Sequence, residues 1–189
     1  QTLSETGKWY KDNYSTTAPS AISALTDYKN TGKKTVWYNS KYYRANLFWE
    51  GNTFRFRDIH LFDEKFASDY IDEPGTTSTC RYTTLPFVDG NIWSSDNKLA
   101  GLRLFCARQD GTMVEATGRD PEIVHKGKRL YVRWPLEMPG TTFVMSFDED
   151  KVRMQVESVG NTPMEWYMEL SVVPGTVLPF TRIENKHID

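Results

Sequence analysis

Three acids and a histidine crowd the segment Arg57-Asp58-Ile59-His60-Leu61-Phe62-Asp63-Glu64. Asp58 and His60 are two residues apart, so in a strand they project from one face. A carboxylate beside an imidazole suits a general acid/base pair or part of a metal site. The same pattern arises when the aspartate pairs with an arginine and the histidine is a hydrogen-bonded, partly buried residue. A metal site would need a third ligand, and nothing in the spacing supplies one. No metal set and no cofactor are therefore assigned.

A second group lies in Leu85-Pro86-Phe87-Val88-Asp89-Gly90-Asn91-Ile92-Trp93-Ser94. Sugar sites combine a flat aromatic face with carboxylate and amide groups, because the C–H faces of a pyranose stack on rings while its hydroxyls need directional partners. Asp89, Asn91 and Trp93 offer that chemistry. The bland alternative is a glycine turn with Trp93 as its apolar anchor. No pair of acids is singled out for glycosidic cleavage. Neither cysteine nor serine stands in a nucleophile-elbow setting, so no catalytic residue is assigned.

The elements that must position these groups follow from periodicity. After Gly32 the sequence repeats with period two, the mark of half-solvated antiparallel strands. Between Lys41 and Glu50, Tyr43, Ala45, Leu47 and Trp49 form one face against Tyr42, Arg44, Asn46, Phe48 and Glu50. Beyond the turn at Gly51-Asn52, Phe54 and Phe56 alternate with Arg55 and Arg57. Alternation returns at Leu130 to Leu136 and at Val152 to Val156, and short Gly, Asn and Asp turns leave no room for parallel crossovers. The expectation is an all-β antiparallel sandwich of about ten strands, with a closed up-and-down barrel as the alternative. Irregular stretches are expected at 63–79 and 86–98. One short amino-terminal helix is predicted from Pro19 to Lys29, where Thr17-Ala18-Pro19 resembles a helix start. Residues 1–32 form a partly irregular lead-in to a single domain over 1–189. Tyr42 and Phe48 fall opposite Trp49, so one sheet is expected to show aromatic rings to solvent or to a groove, as a ligand platform or a protein contact.

The 189 residues carry a net charge of −2, which provides no electrostatic footprint for nucleic acid. No apolar run approaches the roughly 18 residues that span a bilayer, so membrane insertion is not expected. A chain starting at Gln1 without methionine reflects removal of a signal peptide or an engineered boundary, and export is the expectation. Cys80 and Cys106 match neither a zinc site nor a redox motif. They form a disulfide or remain two buried thiols.

Tyr42-Tyr43-Arg44-Ala45-Asn46, Phe56-Arg57-Asp58-Ile59-His60 and the stretch Leu85 to Ser94 resemble amino-terminal β-sandwich regions of exported proteins in bacterial polysaccharide-utilisation systems. The resemblance implies a non-catalytic domain, periplasmic, surface-bound or secreted, with carbohydrate as partner and a flanking domain or protein beside it. It transfers no catalytic residue. Gly7-Lys8-Trp9 resembles the amino-terminal signature of lipocalins and implies a closed barrel, although a helix-like segment follows where a long first strand should run. On these grounds Asp89, Asn91, Trp93, Tyr42, Phe48, Asp58 and His60 are the candidate ligand-binding residues. The alternatives are a glycoside hydrolase with paired carboxylates and a structural or protein-interaction domain.

Overall fold

Strands begin earlier than the alternation does, and the helix lies upstream of the segment that resembled one. The computed structural model describes residues 2–63, 65, 74–76, 85–161, 163–179, 183–184 and 187–188. Helix α1 covers Leu3–Asn13 and opens on a capping box: Thr2 Oγ1 accepts from the Glu5 N–H at 3.2 Å, while the Glu5 carboxylate accepts from the Thr2 N–H at 2.8 Å. None of its residues is buried. With no buried face to set a period, only the cap marked it in the sequence. The predicted helix from Pro19 to Lys29 is instead a strand followed by a turn, in which the Asp27 side chain accepts from the backbone N–H of Lys29, Thr31 and Lys33. Pairing with the next strand overrides the helix-like start.

The strands run β1 Ser20–Ala24, β2 Lys33–Asn39, β3 Tyr43–Glu50, β4 Thr53–Leu61, β5 Leu85–Asp89, β6 Gly101–Ala107, β7 Met113–Glu115, β8 Glu122–Lys126, β9 Arg129–Pro135, β10 Thr141–Phe147, β11 Val152–Ser158 and β12 Trp166–Ser171. A short pair, β13 Ile183–Glu184 and β14 His187–Ile188, stands apart. The larger sheet has the order β1-β2-β3-β4-β6-β12, with β5 also on β4 and β7 on β6. The smaller is β11-β10-β9-β8. All the pairings are antiparallel. Among the described residues each sheet ends on edge strands paired on one side only, so the architecture is a sandwich and not the closed barrel that the lipocalin resemblance implied. Gly7-Lys8-Trp9 lies within α1. Of the predicted irregular stretch 63–79, most lies outside the described residues.

The core is the space between the two sheets. Val36, Tyr38, Tyr43, Ala45, Leu47, Trp49, Phe54 and Phe56 of the larger sheet meet Leu130, Val132, Trp134, Phe143, Met145 and Phe147 of the smaller. Phe54 is the hub, with ring centroids 5.1 Å from Trp49, 5.3 Å from Trp134 and 6.0 Å from Phe143. Tyr43 Oη crosses the layer to donate to the carbonyl of Asp148 at 2.7 Å. The alternation of β3 is realised as predicted, with Tyr43, Ala45, Leu47 and Trp49 inward.

The strand β4 does not keep its phase. Leu47 pairs with Phe56 and Asn46 with Asp58, which leaves Arg57 as an extra residue in a β-bulge. Phe54 and Phe56 therefore face the core, but beyond the bulge the core-packed residue is Ile59, and Asp58 and His60 turn to the outer face beside Arg44 and Asn46. The outer edge of β4 is split to match: Phe56 pairs with Leu102 of β6, while Asp58 to Leu61 pair with β5.

Replacing Trp49, 1 % exposed, by alanine should cost about 3–5 kcal/mol. Arg55→Ala removes a half-buried side chain on the outer face and should cost about 1–2 kcal/mol. Denaturant unfolding with a constant slope measures both. A neutral Trp49→Ala beside a severely unfolded Arg55→Ala would invert the two faces.

Candidate functional site

The turn after β5 is what brings the two sequence motifs together. Asp89 Oδ1 accepts from the N–H groups of Asn91 at 2.9 Å and Ile92 at 2.7 Å, a short-range turn of the kind aspartate favours. Its second oxygen is left facing β4, where Oδ2 stands 3.6 Å from His60 Nε2. Gly90 N–H donates to the Arg57 carbonyl at 2.7 Å, with a longer branch of 3.4 Å to Asp58 Oδ1. Asp58 Oδ2 lies 3.3 Å from Arg57 Nε. All three of Asp58, His60 and Asp89 are buried.

Burial is the main cause that holds His60 below the usual histidine range, and the Arg44 guanidinium opposite it adds to this against the pull of Asp89 and Asp58. The imidazole is thus neutral near pH 7. Two carboxylates and the Arg44 guanidinium act on it, while the partly exposed Arg57 pairs with Asp58.

The other candidate residues lie apart from this cluster or serve its frame. Trp93 is buried, 4 % exposed, and its carbonyl accepts from the Val173 N–H at 3.1 Å. Its ring offers no open face, and it anchors the turn. Asn91 is exposed at the tip. Tyr42 is half exposed, with Lys41 Nζ 5.7 Å from its ring centroid. Phe48 is held on the outer face between two guanidiniums, Arg55 at 5.5 Å and Arg57 at 5.3 Å, and Arg57 also lies 5.6 Å from the ring of Trp37. Cys106 is a buried free thiol, raised to about 11 by burial; Cys80 lies outside the described residues.

Sequence reasoning passed over three features. Arg44 and Asn46 sit directly across from His60 and Asp58, and their shared parity with Phe48 was the available signal. Phe105 of β6 and Tyr167 of β12 are cross-strand partners whose rings stack in parallel on the outer face, 5.1 Å apart with an interplanar angle of 1°. The bulge was written in β4 as a shift of the apolar positions from Phe54 and Phe56 to Ile59. A cavity of about 860 Å³, lined among others by Ala107, Met138, Val159 and Met164, includes none of the candidate residues. The register of β4 on β6 puts it toward the Gly51 end, opposite to His60.

Compared with family models, with curated proteins and with solved structures, the chain matches none of them.

A β-carbon at Gly90 would stand 2.4 Å from the Arg57 carbonyl oxygen and 2.6 Å from its Cγ. Backbone cannot yield as a flexible side chain can. Gly90→Ala should therefore destabilise by about 1–3 kcal/mol, whereas Gly111→Ala meets no atom within 4 Å and is strained only through its positive φ of 82°. Thermal unfolding of the two variants, with amide exchange at Gly90 and Ile92 as the local readout, measures the difference. Equal effects at both positions would mean that the β4–β5 approach is not tight.

Proposed function

We propose that the chain is a non-catalytic carbohydrate-recognition domain of an exported polysaccharide-processing system, and that it works through the outer face of its larger sheet. The observation that carries this reading is the chemistry of that face: aromatic rings interleaved with guanidiniums and carboxylates. Trp37 and Phe48 lie with Arg55 and Arg57 at one side. The Arg103–Glu115 pair follows at 3.4 Å. The stacked Phe105 and half-exposed Tyr167 close the row.

The inner face is filled by core, so it has no room for a ligand. Rings give stacking surface to a sugar's C–H face, while arginines and acids give directional partners to its hydroxyls. From β2 to β12 the row crosses four strand spacings, roughly 19 Å at ~4.8 Å each, a length suited to a glycan chain more than to a single sugar. The resemblance to sandwich regions of polysaccharide-utilisation proteins supports the same class. No helix among the described residues is long and apolar enough to cross a membrane.

Hydrolysis draws less support. Paired carboxylates of glycosidases stand about 5–10 Å apart across an open groove. Asp58 and Asp89 are buried, with ligand atoms within 4.8 Å of each other and of His60. A protein-interaction role is favoured by one observation, the exposed cluster of Trp9, Tyr10 and Tyr14 at the end of α1.

A glycan array followed by calorimetric titration tests the proposal. Tyr167→Ala and Trp37→Ala should each weaken binding of the best polysaccharide by about 1–3 kcal/mol, with Trp9→Ala unchanged. Absence of binding to every plant, host and microbial polysaccharide would remove the reading. Loss with Trp9→Ala alone would move recognition to the helix.

A further inference from the structure

Asp58, His60 and Asp89 converge on one enclosed point from two adjacent strands. One ligand-type atom of each lies within 4.8 Å of the others. His60 Nε2 and Asp89 Oδ2, 3.6 Å apart, are too distant for a good hydrogen bond. The separation is right for two neighbours on one ion with bonds of about 2.0–2.2 Å.

Asn46 supplies an independent observation. It is wholly buried and pairs across the sheet with Asp58. Its Nδ2 donates to Thr35 Oγ1 at 2.7 Å and to the Val36 carbonyl at 3.1 Å, both on β2. The Val36 contact fixes the amide's orientation, since exchanging nitrogen and oxygen would set two carbonyl oxygens against each other. Oδ1 is thereby turned away from the Val36 carbonyl, on the strand position that pairs with Asp58, and it has no hydrogen-bond partner among the described residues. A buried amide oxygen without a donor is costly, and a cation removes that cost.

We propose that Asp58, His60 and Asp89, with Asn46 Oδ1 as fourth ligand, form a binding site for a divalent transition-metal ion of the zinc class. One nitrogen and three oxygens suit Zn²⁺ or Mn²⁺, while the imidazole disfavours Ca²⁺ and Mg²⁺. The two carboxylates match the charge of the ion. Arg57, which holds Asp58 Oδ2 at 3.3 Å, must release that oxygen, and Arg44 across from His60 repels the ion. The site is weakened by these arginines, and that gives it a signature. Bound metal would join β3, β4 and β5, adding a clamp where, among the described residues, β5 pairs with β4 from Asp58 to Leu61 and Gly90 donates to the Arg57 carbonyl.

The test uses the full chain, stripped with a chelator and titrated with Zn²⁺ alone, with Co²⁺ as the spectroscopic probe. The expected result is one ion per chain, visible ligand-field bands for Co²⁺, and a thermal midpoint raised by Zn²⁺ and restored by chelator. His60→Gln and Asp89→Asn should weaken binding at least ~10-fold. Arg44→Gln should tighten it several-fold, and His125→Ala, at an exposed position of β8, should leave it unchanged. The wild-type measurements stand even where a variant fails to fold. No Zn²⁺-dependent rise together with no Co²⁺ bands would overturn the site. So would Ca²⁺ binding in place of Zn²⁺, or binding lost in His125→Ala and kept in His60→Gln.

Discussion

One extra residue in β4 organises the outer half of this molecule. Without the bulge at Arg57, Asp58 and His60 would follow Phe54 and Phe56 into the layer between the sheets. Two ionisable side chains would then stand among Tyr38, Phe147 and Met145, where desolvation would outweigh any pairing available to them. The bulge shifts the facing of the side chains at that point and delivers both to the face where Arg44, Asn46 and the β5 turn await them. It also ends the contact with β6 at Phe56 and opens the edge to β5. Core, split edge and polar cluster thus depend on the same local irregularity.

The two faces of the larger sheet consequently follow different rules. The inner face is a continuous apolar layer whose rings contact one another across the sandwich. The outer face spaces its rings with charge: Phe48 lies between two guanidiniums, and Arg55 further donates to the Ala100 carbonyl. Burial, with crowding by Arg103 and Arg57 added to it, pushes the Arg55 guanidinium below its ordinary range. Stacking on aromatic faces offsets part of that repulsion, since a ring presents its negative quadrupole to each cation. A face built in this way is neither core nor ordinary solvated surface, which is why it bears the functional proposal.

Much of this was legible in the sequence, and the part that was not has physical causes. Strict alternation in β3 disclosed both of its faces, because every inward residue there is large or apolar and the strand has no irregularity before Asn46. The two-residue spacing of Asp58 and His60 disclosed their common face. Their contact with Asp89 was not legible, since it depends on a tertiary approach across more than twenty intervening residues, although each motif stood out alone. Trp93 misled for a different reason. A tryptophan beside an aspartate and an asparagine has the composition of a sugar site, yet here the turn needs an apolar anchor and burial takes the ring. The helix was misplaced because α1 buries nothing, so no periodicity could compete with the proline at position 19.

Arg57 links the buried cluster to the surface above it. Its backbone carbonyl accepts from Gly90, its Nε pairs with Asp58, and its guanidinium lies over Trp37 and Phe48. The same cation therefore neutralises a buried carboxylate and shapes the aromatic surface. Anything that takes over Asp58 frees the guanidinium to reposition over the rings, and anything that displaces it from the rings weakens its hold on Asp58. A ligand on the outer face and a cation beneath it would compete for, or cooperate through, one side chain. The sign is set by whether the ligand prefers Arg57 released from Asp58, and the coupling is reciprocal by linkage.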